Sequence, residues 1–135
     1  MPYHLGRLID HVHLRVADLE QSKRFYTAVL GALGLYLIGE GEGFFYADEL
    51  FVSDDAEPTA RVHLAFQADG PESVRGFYED GLEAGGRDNG APGERYYHPG
   101  YYSAYLLDPD GNNIEAVYHG PAERSVPSVL VTPVE

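Results

Sequence analysis

The chain has no cysteine among its 135 residues. That excludes disulfides, thiolate-bound metals and cysteine nucleophiles, so any metal must be held by nitrogen and oxygen. Basic residues are scarce, nine Lys and Arg against 22 Asp and Glu, for a formal net charge of −13. Such a field repels a phosphate backbone and the few cations are scattered, which argues against a nucleic-acid partner. No apolar run approaches the ~20 residues of a bilayer span. The opening Met1-Pro2-Tyr3-His4-Leu5-Gly6-Arg7 leads into no apolar stretch of the kind a secretory signal needs, so the expectation is a cytoplasmic protein with no membrane partner. What is present is an ordinary globular composition, 44% hydrophobic and 23% charged. The length suits one core, hence one domain over residues 1–135.

An internal repeat sets the frame. Phe25-Tyr26 recurs as Phe77-Tyr78, and the same offset of 52 relates Leu30 to Leu82, Ala32 to Ala84, Gly34 to Gly86, His11 to His63 and Leu14 to Phe66. Two copies of one supersecondary unit account for this. In the first copy, Ile9 to Val16 alternates, with Val12, Leu14 and Val16 on a dry face and His11, His13 and Arg15 on a polar one. Asp18, with Gln21 three residues on, has capping-box spacing, and Leu19, Ser22, Tyr26, Val29, Leu30 and Leu33 trace a helical stripe that ends at Gly34. Short strands are expected at Leu35–Ile38, Phe44–Tyr46 and Glu49–Ser53.

The second copy repeats the scheme, with Val62, Leu64 and Phe66 dry and His63, Ala65 and Gln67 facing away. Pro71 suits a first helical turn, Val74, Phe77, Tyr78 and Leu82 form the buried stripe, and Gly85-Gly86 stops the helix. Gly76 and Gly81 cost about 1 kcal/mol each relative to Ala, so this helix depends on packing. Tyr101–Leu107 and Asn113–Tyr118 read as closing strands, joined by Asp108-Pro109-Asp110-Gly111, whose Asp, Pro and Gly stand where a type I turn favours them. Residues 87–99 read as loop, and the tail from Gly120 has weak patterning, with Val129–Val131 able to join a neighbour or pack on the core. Module one thus spans about 8–53, module two about 61–119 and the tail 120–135.

Three potential ligands fall on the polar face. His11 and His63 hold equivalent positions, and Glu115 points opposite to Ile114, Ala116 and Tyr118 on the last strand. Two imidazoles and a carboxylate leave open positions on a divalent ion, and such a set accepts Fe, Mn, Ni or Zn. His13 competes for the first place, but His11 precedes Phe25 by 14 residues as His63 precedes Phe77. His13 is therefore a substrate-binding or ligand-supporting residue. Arg15 shares its face and suits an anionic oxygen. The run Tyr96-Tyr97-His98-Pro99-Gly100-Tyr101-Tyr102, followed by Tyr105, combines apolar area with hydroxyl handles. From it His98 and Tyr101 are the catalytic candidates, His98 as an acid or base, and Tyr105 a substrate contact.

The opening Ile9-Asp10-His11-Val12-His13-Leu14-Arg15-Val16-Ala17-Asp18-Leu19-Glu20-Gln21-Ser22, followed by Phe25-Tyr26 and Leu30-Gly31, together with the closing Leu107-Asp108-Pro109-Asp110-Gly111-Asn112-Asn113-Ile114-Glu115, resembles the vicinal oxygen chelate superfamily of glyoxalase, bleomycin resistance and extradiol dioxygenase proteins. The resemblance covers residues 8–119. It implies an α+β fold in which two βαβββ modules form a cup-shaped, partly open mixed sheet with helices outside, curled round a divalent metal held by His11, His63 and Glu115. Glyoxalase I relatives carry a further glutamate ligand on the last strand of module one, which here reads Glu49-Leu50-Phe51-Val52-Ser53 with an apolar centre. The three-ligand set is more similar to the dioxygenase or fosfomycin-resistance branches. The implied activity is metal-dependent lyase, isomerase or oxygenase chemistry on a small oxygen-rich substrate, and the alternative is a sequestering protein of bleomycin-resistance type. A homodimer is expected, with the ligands coming from one chain or from two.

Overall fold

A computed structural model describes residues 2–135. It contains two four-stranded mixed sheets and two helices in an α+β arrangement, each module running strand, helix, three strands. Module one comprises β1 (Val12–Arg15), α1 (Leu19–Ala32), β2 (Gly39–Gly41), β3 (Phe44–Ala47) and β4 (Leu50–Ser53). Module two comprises β5 (His63–Gln67), α2 (Pro71–Glu83), β6 (Arg87–Glu94), β7 (Tyr102–Leu107) and β8 (Asn113–Tyr118). The strand orders are β1-β4-β3-β2 and β5-β8-β7-β6, so the first strand of each module is an edge strand that runs parallel to the last. Among the described residues the two sheets share no ladder.

Helix α1 begins where Asp18 accepts from the Gln21 amide at 3.1 Å. It ends in a Schellman pair, Leu35 N to Leu30 O and Gly34 N to Gly31 O, with Gly34 at φ 82°. Helix α2 repeats that ending through Gly86 N to Gly81 O and Gly85 N to Leu82 O, with Gly85 at φ 103°. Gly81 is needed where it stands, because a Cβ there would lie 2.2 Å from Leu106 and 2.8 Å from Val29. The close approach of α2 to α1 and β7 offsets its propensity cost. One apolar core joins both modules, including Leu14, Phe25, Val29, Phe45 and Val52 from the first and Val74, Phe77, Leu106 and Ile114 from the second.

The Asp108–Asn112 turn ties the modules together. Gly111 N reaches Asp108 O at 2.9 Å, closing the expected turn. Asp108 also accepts from the buried Tyr26 hydroxyl of α1 at 2.5 Å, and Asp110 accepts from Ala17 N at 3.1 Å. Asn112 accepts from Val62 N and donates to Thr59 O, pinning the linker between modules. Burial, followed by the Asp108 charge, pushes the Tyr26 phenol well up, so it remains a donor.

Several boundaries differ from the sequence expectation. The second strand lies at Gly39–Gly41, not Leu35–Ile38. The rings of Tyr46 and Phe44 lie across Gly39 and Gly41, where any Cβ would come within 2.5 Å of them, so glycines that read as turn residues are strand residues. Residues read as loop form β6, which pairs with β7 through register shifts around Gly90 and Gly93. An edge strand with bulges tolerates both glycine and Pro92. Leu82, expected in the buried stripe, is 38% exposed. The tail after Gly120 forms no strand and lies exposed, so within this chain it does not pack on the core.

Candidate metal and substrate site

The chemistry concentrates on the module-two face away from the helices. Register sets it: Glu115 on β8 pairs with Ala65, two residues beyond His63 on β5, and side chains two apart share a face. His63 Nε2 therefore meets Glu115 Oε1 at 2.8 Å. Glu115 is 1% exposed, and its other oxygen accepts from the Tyr101 hydroxyl at 2.6 Å. Burial first, and then the Glu115 hydrogen bond, push the Tyr101 phenol well above its usual range. The phenol stays protonated and fixes the carboxylate's orientation. The Tyr105 ring centroid lies 6.1 Å from that of His63 and 5.3 Å from the Arg95 guanidinium.

The pair fits part of a metal site. An imidazole nitrogen and a carboxylate oxygen are both donors that a divalent ion takes, and their 2.8 Å hydrogen bond shows that the two side chains reach one point. A buried carboxylate is otherwise costly to hold. Among the described residues, however, no three His, Asp or Glu side chains converge as a metal-ligand group. His11 is elsewhere. It precedes β1 rather than lying on it, its side chain is 64% exposed, and its Nδ1 bonds Asp10 at 2.7 Å. It lines a separate cavity in module one with His13, Tyr46, Asp48, Glu49 and Phe51. By the register rule of module two, the counterpart of Glu115 pairs with the residue two beyond His11. That residue is His13, and its partner is Phe51, so module one offers no second carboxylate at that place.

His98 lies beside Tyr101, rings 5.3 Å apart. Its Nδ1 is 2.9 Å from the Pro99 carbonyl and its Nε2 is 2.9 Å from His119 Nδ1. Since a carbonyl only accepts, neutral His98 carries its proton on Nδ1 and accepts from His119, leaving His119 Nε2 as the pair's free nitrogen. His119 escaped the sequence reading, although it continues the alternation Glu115, Val117, His119 one residue beyond β8. In module one, His13 Nε2 bonds Ser53 Oγ at 2.7 Å, and Ser53 in turn reaches Asp55 at 2.7 Å. The Ser53 hydrogen bond, with lesser help from Arg15 and His13, holds the Asp55 carboxyl below its ordinary value. Arg15 itself pairs with Asp55 at 3.2 Å. The structure thus brings together His63, Glu115, Tyr101, His98 and Tyr105, and places His11, His13 and Arg15 on the other module.

Comparison with known proteins then decides the family. Residues 8–116 match the model of the Glyoxalase/Bleomycin resistance protein/Dioxygenase superfamily. The chain belongs to that superfamily. A glyoxalase/bleomycin resistance protein from Albidiferax ferrireducens T118 is similar at 32% identity over 82% of this chain and 98% of its own, with a TM-score of 0.73. A glyoxalase/bleomycin resistance protein/dioxygenase family enzyme from Burkholderia phytofirmans PsJN shares the fold at 23% identity, covering 80% and 95% of the two chains, TM-score 0.63. A lactoylglutathione lyase from Agrobacterium tumefaciens does so at 21% identity, covering 84% and 94%, TM-score 0.61. No curated protein matches the chain in sequence.

Proposed function

We propose that this superfamily member is a divalent-metal-dependent enzyme that chelates neighbouring oxygens of a small, oxygen-rich substrate, in a site completed by a second copy of the chain. The His63–Glu115 contact carries the reading: an imidazole nitrogen and a buried carboxylate oxygen meet at 2.8 Å, so one ion could take both. His11 of the second copy supplies the third ligand. Its Nδ1 bonds Asp10, which leaves Nε2 as the ligating nitrogen. Two observations support assembly across chains. β1 and β5 are both edge strands that do not pair with each other among the described residues, and His11 lines a module-one cavity that does not include His63 or Glu115.

An ion held by these residues would supply Lewis acidity toward substrate oxygens. The chain's own residues do the rest. Tyr101 keeps Glu115 in one orientation, Tyr105 walls the pocket beside His63, and the His98–His119 pair stands next to Tyr101 to receive or return a proton through His119 Nε2. His13 and Arg15 contact substrate from the module-one side. A second reading, binding without turnover, is favoured by the aromatic cavity of module one. Elemental analysis of protein purified without chelator tests the metal claim. About one Fe, Mn, Ni or Zn per chain, lost in His63→Ala, is the expected result, and equal metal content in both proteins would refute it.

A further inference from the structure

Of the three asparagines in the chain, Asn89 alone stands before a glycine. It lies on β6, the outermost strand of the second sheet, and its side chain is exposed. The ladder with β7 passes from Asp88 opposite Leu106 to Gly90 opposite Tyr105 and skips Asn89. Asn89 is therefore the extra residue of a bulge, which frees its backbone from the register of its neighbours. The Gly90 N–H donates to Asp88 Oδ1 at 2.9 Å, and the Asn89 carboxamide nitrogen donates to Asn113 Oδ1 at 3.1 Å.

Glycine is required at 90. Its φ is 151°, and a Cβ there would lie 2.7 Å from the Tyr105 ring. With no side chain beside it, the Gly90 nitrogen is sterically open to attack a neighbouring carbonyl carbon. The other two asparagines are held differently. Asn112 is fully buried, accepts from Val62 N and donates to Thr59 O and Asp108 Oδ2. Asn113 is paired within β8 and precedes the β-branched Ile114, which shields the following nitrogen.

We propose that Asn89-Gly90 is a site of spontaneous covalent modification, at which Asn89 converts to aspartyl and isoaspartyl forms in the folded protein. The Gly90 nitrogen attacks Asn89 Cγ, and the new C–N bond closes a succinimide ring. The carboxamide nitrogen leaves as ammonia, taking the Gly90 proton. Water then opens one ring carbonyl or the other, giving aspartate or an isoaspartate with an extra methylene in the main chain. Either product adds one negative charge, and neither needs an oxidant or a cofactor. The bulge takes up the methylene, and the Asn113 carboxamide, turned over, donates to the new carboxylate, so the product remains folded. The test incubates the full chain in mildly alkaline buffer, with and without urea, and follows it by peptide mass spectrometry. Isoaspartate is read by enzymatic methylation with an isoaspartyl methyltransferase. A gain of one mass unit appears at Asn89 roughly tenfold or more faster than at Asn112 or Asn113, and in the folded chain within about tenfold of its rate in urea. Asn89→Gln removes the methylation signal, and aged protein keeps the circular dichroism spectrum of fresh protein. No mass gain at Asn89, earlier conversion at Asn112 or Asn113, conversion confined to urea, an undiminished methylation signal in Asn89→Gln, or loss of the folded spectrum on ageing overturns the proposal.

Discussion

Individual side chains here act through what they pair with rather than through their identity. Glu115 reads in sequence as one carboxylate on a final strand. In the fold it is buried, with one oxygen on His63 and the other on Tyr101. Glu115→Gln keeps the shape but removes the anion, and metal affinity is expected to fall at least tenfold, on the order of other losses at metal sites, by equilibrium dialysis. Unchanged affinity would remove Glu115 from the site. Asp110 makes the opposite electrostatic case. Burial raises its carboxyl above the ordinary value, outweighing the Ala17 amide that lowers it. A folded value above the unfolded one means that stability is fully present below pH ~3.8 and falls as pH rises through the folded value. Asp110→Asn is therefore expected to be more stable than the parent at pH 7, with the two converging in acid when denaturation midpoints are compared. A variant weaker at pH 7 would show that the Asp110 charge stabilises the turn.

At the scale of elements, most of the fold was legible because helices announce themselves through caps and a 3.6-residue stripe. Asp18, Gly34, Pro71 and Gly85 mark their ends in the structure much as in the sequence. The strands that escaped, β2 and β6, lie at sheet edges and are rich in glycine. Their signal resides in the partner strand, in Tyr46, Phe44 and Tyr105, whose rings occupy the space that side chains at Gly39, Gly41 and Gly90 would take. Within the site, alternation on β8 correctly put Glu115 opposite Ile114, whereas the convergence of His11 with His63 could not be judged from alternation, which fixes faces but not which sheets meet. The Asp108–Asn112 turn was recognised as a turn, while its role as the tie between modules depends on Tyr26, 82 residues away. Tyr26→Phe should cost about 1–3 kcal/mol by leaving a buried Asp108 oxygen short of a donor, measured by chemical denaturation. Leu14→Ala should cost ~2–5 kcal/mol, since Leu14 is 1% exposed in the core. A neutral Tyr26→Phe would contradict the turn's role as the tie between modules, and a neutral Leu14→Ala would contradict the assignment of inner and outer faces.

Considered whole, the molecule presents two incomplete faces: a His–Glu pair under a tyrosine wall on one sheet, and an aromatic cavity holding His11 on the other. The strong acidity of the chain sets no obstacle to a cation at either face, and the strands nearest the ligands, β1 and β5, are both edge strands, although Thr59 bonds the Arg15 end of β1. Symmetric pairing would set each His11 against the other copy's His63 and Glu115 and create two equivalent sites. Light scattering at micromolar concentration should accordingly give the mass of a dimer. The most direct measurement mixes His11→Ala with Glu115→Ala, each deficient in metal alone, through denaturation and joint refolding. In a mixed dimer one of the two sites regains all three ligands, so statistical pairing restores about a quarter of the parental metal content. No recovery, with mixed dimers verified by mass, would place the ligands within one chain and contradict the account.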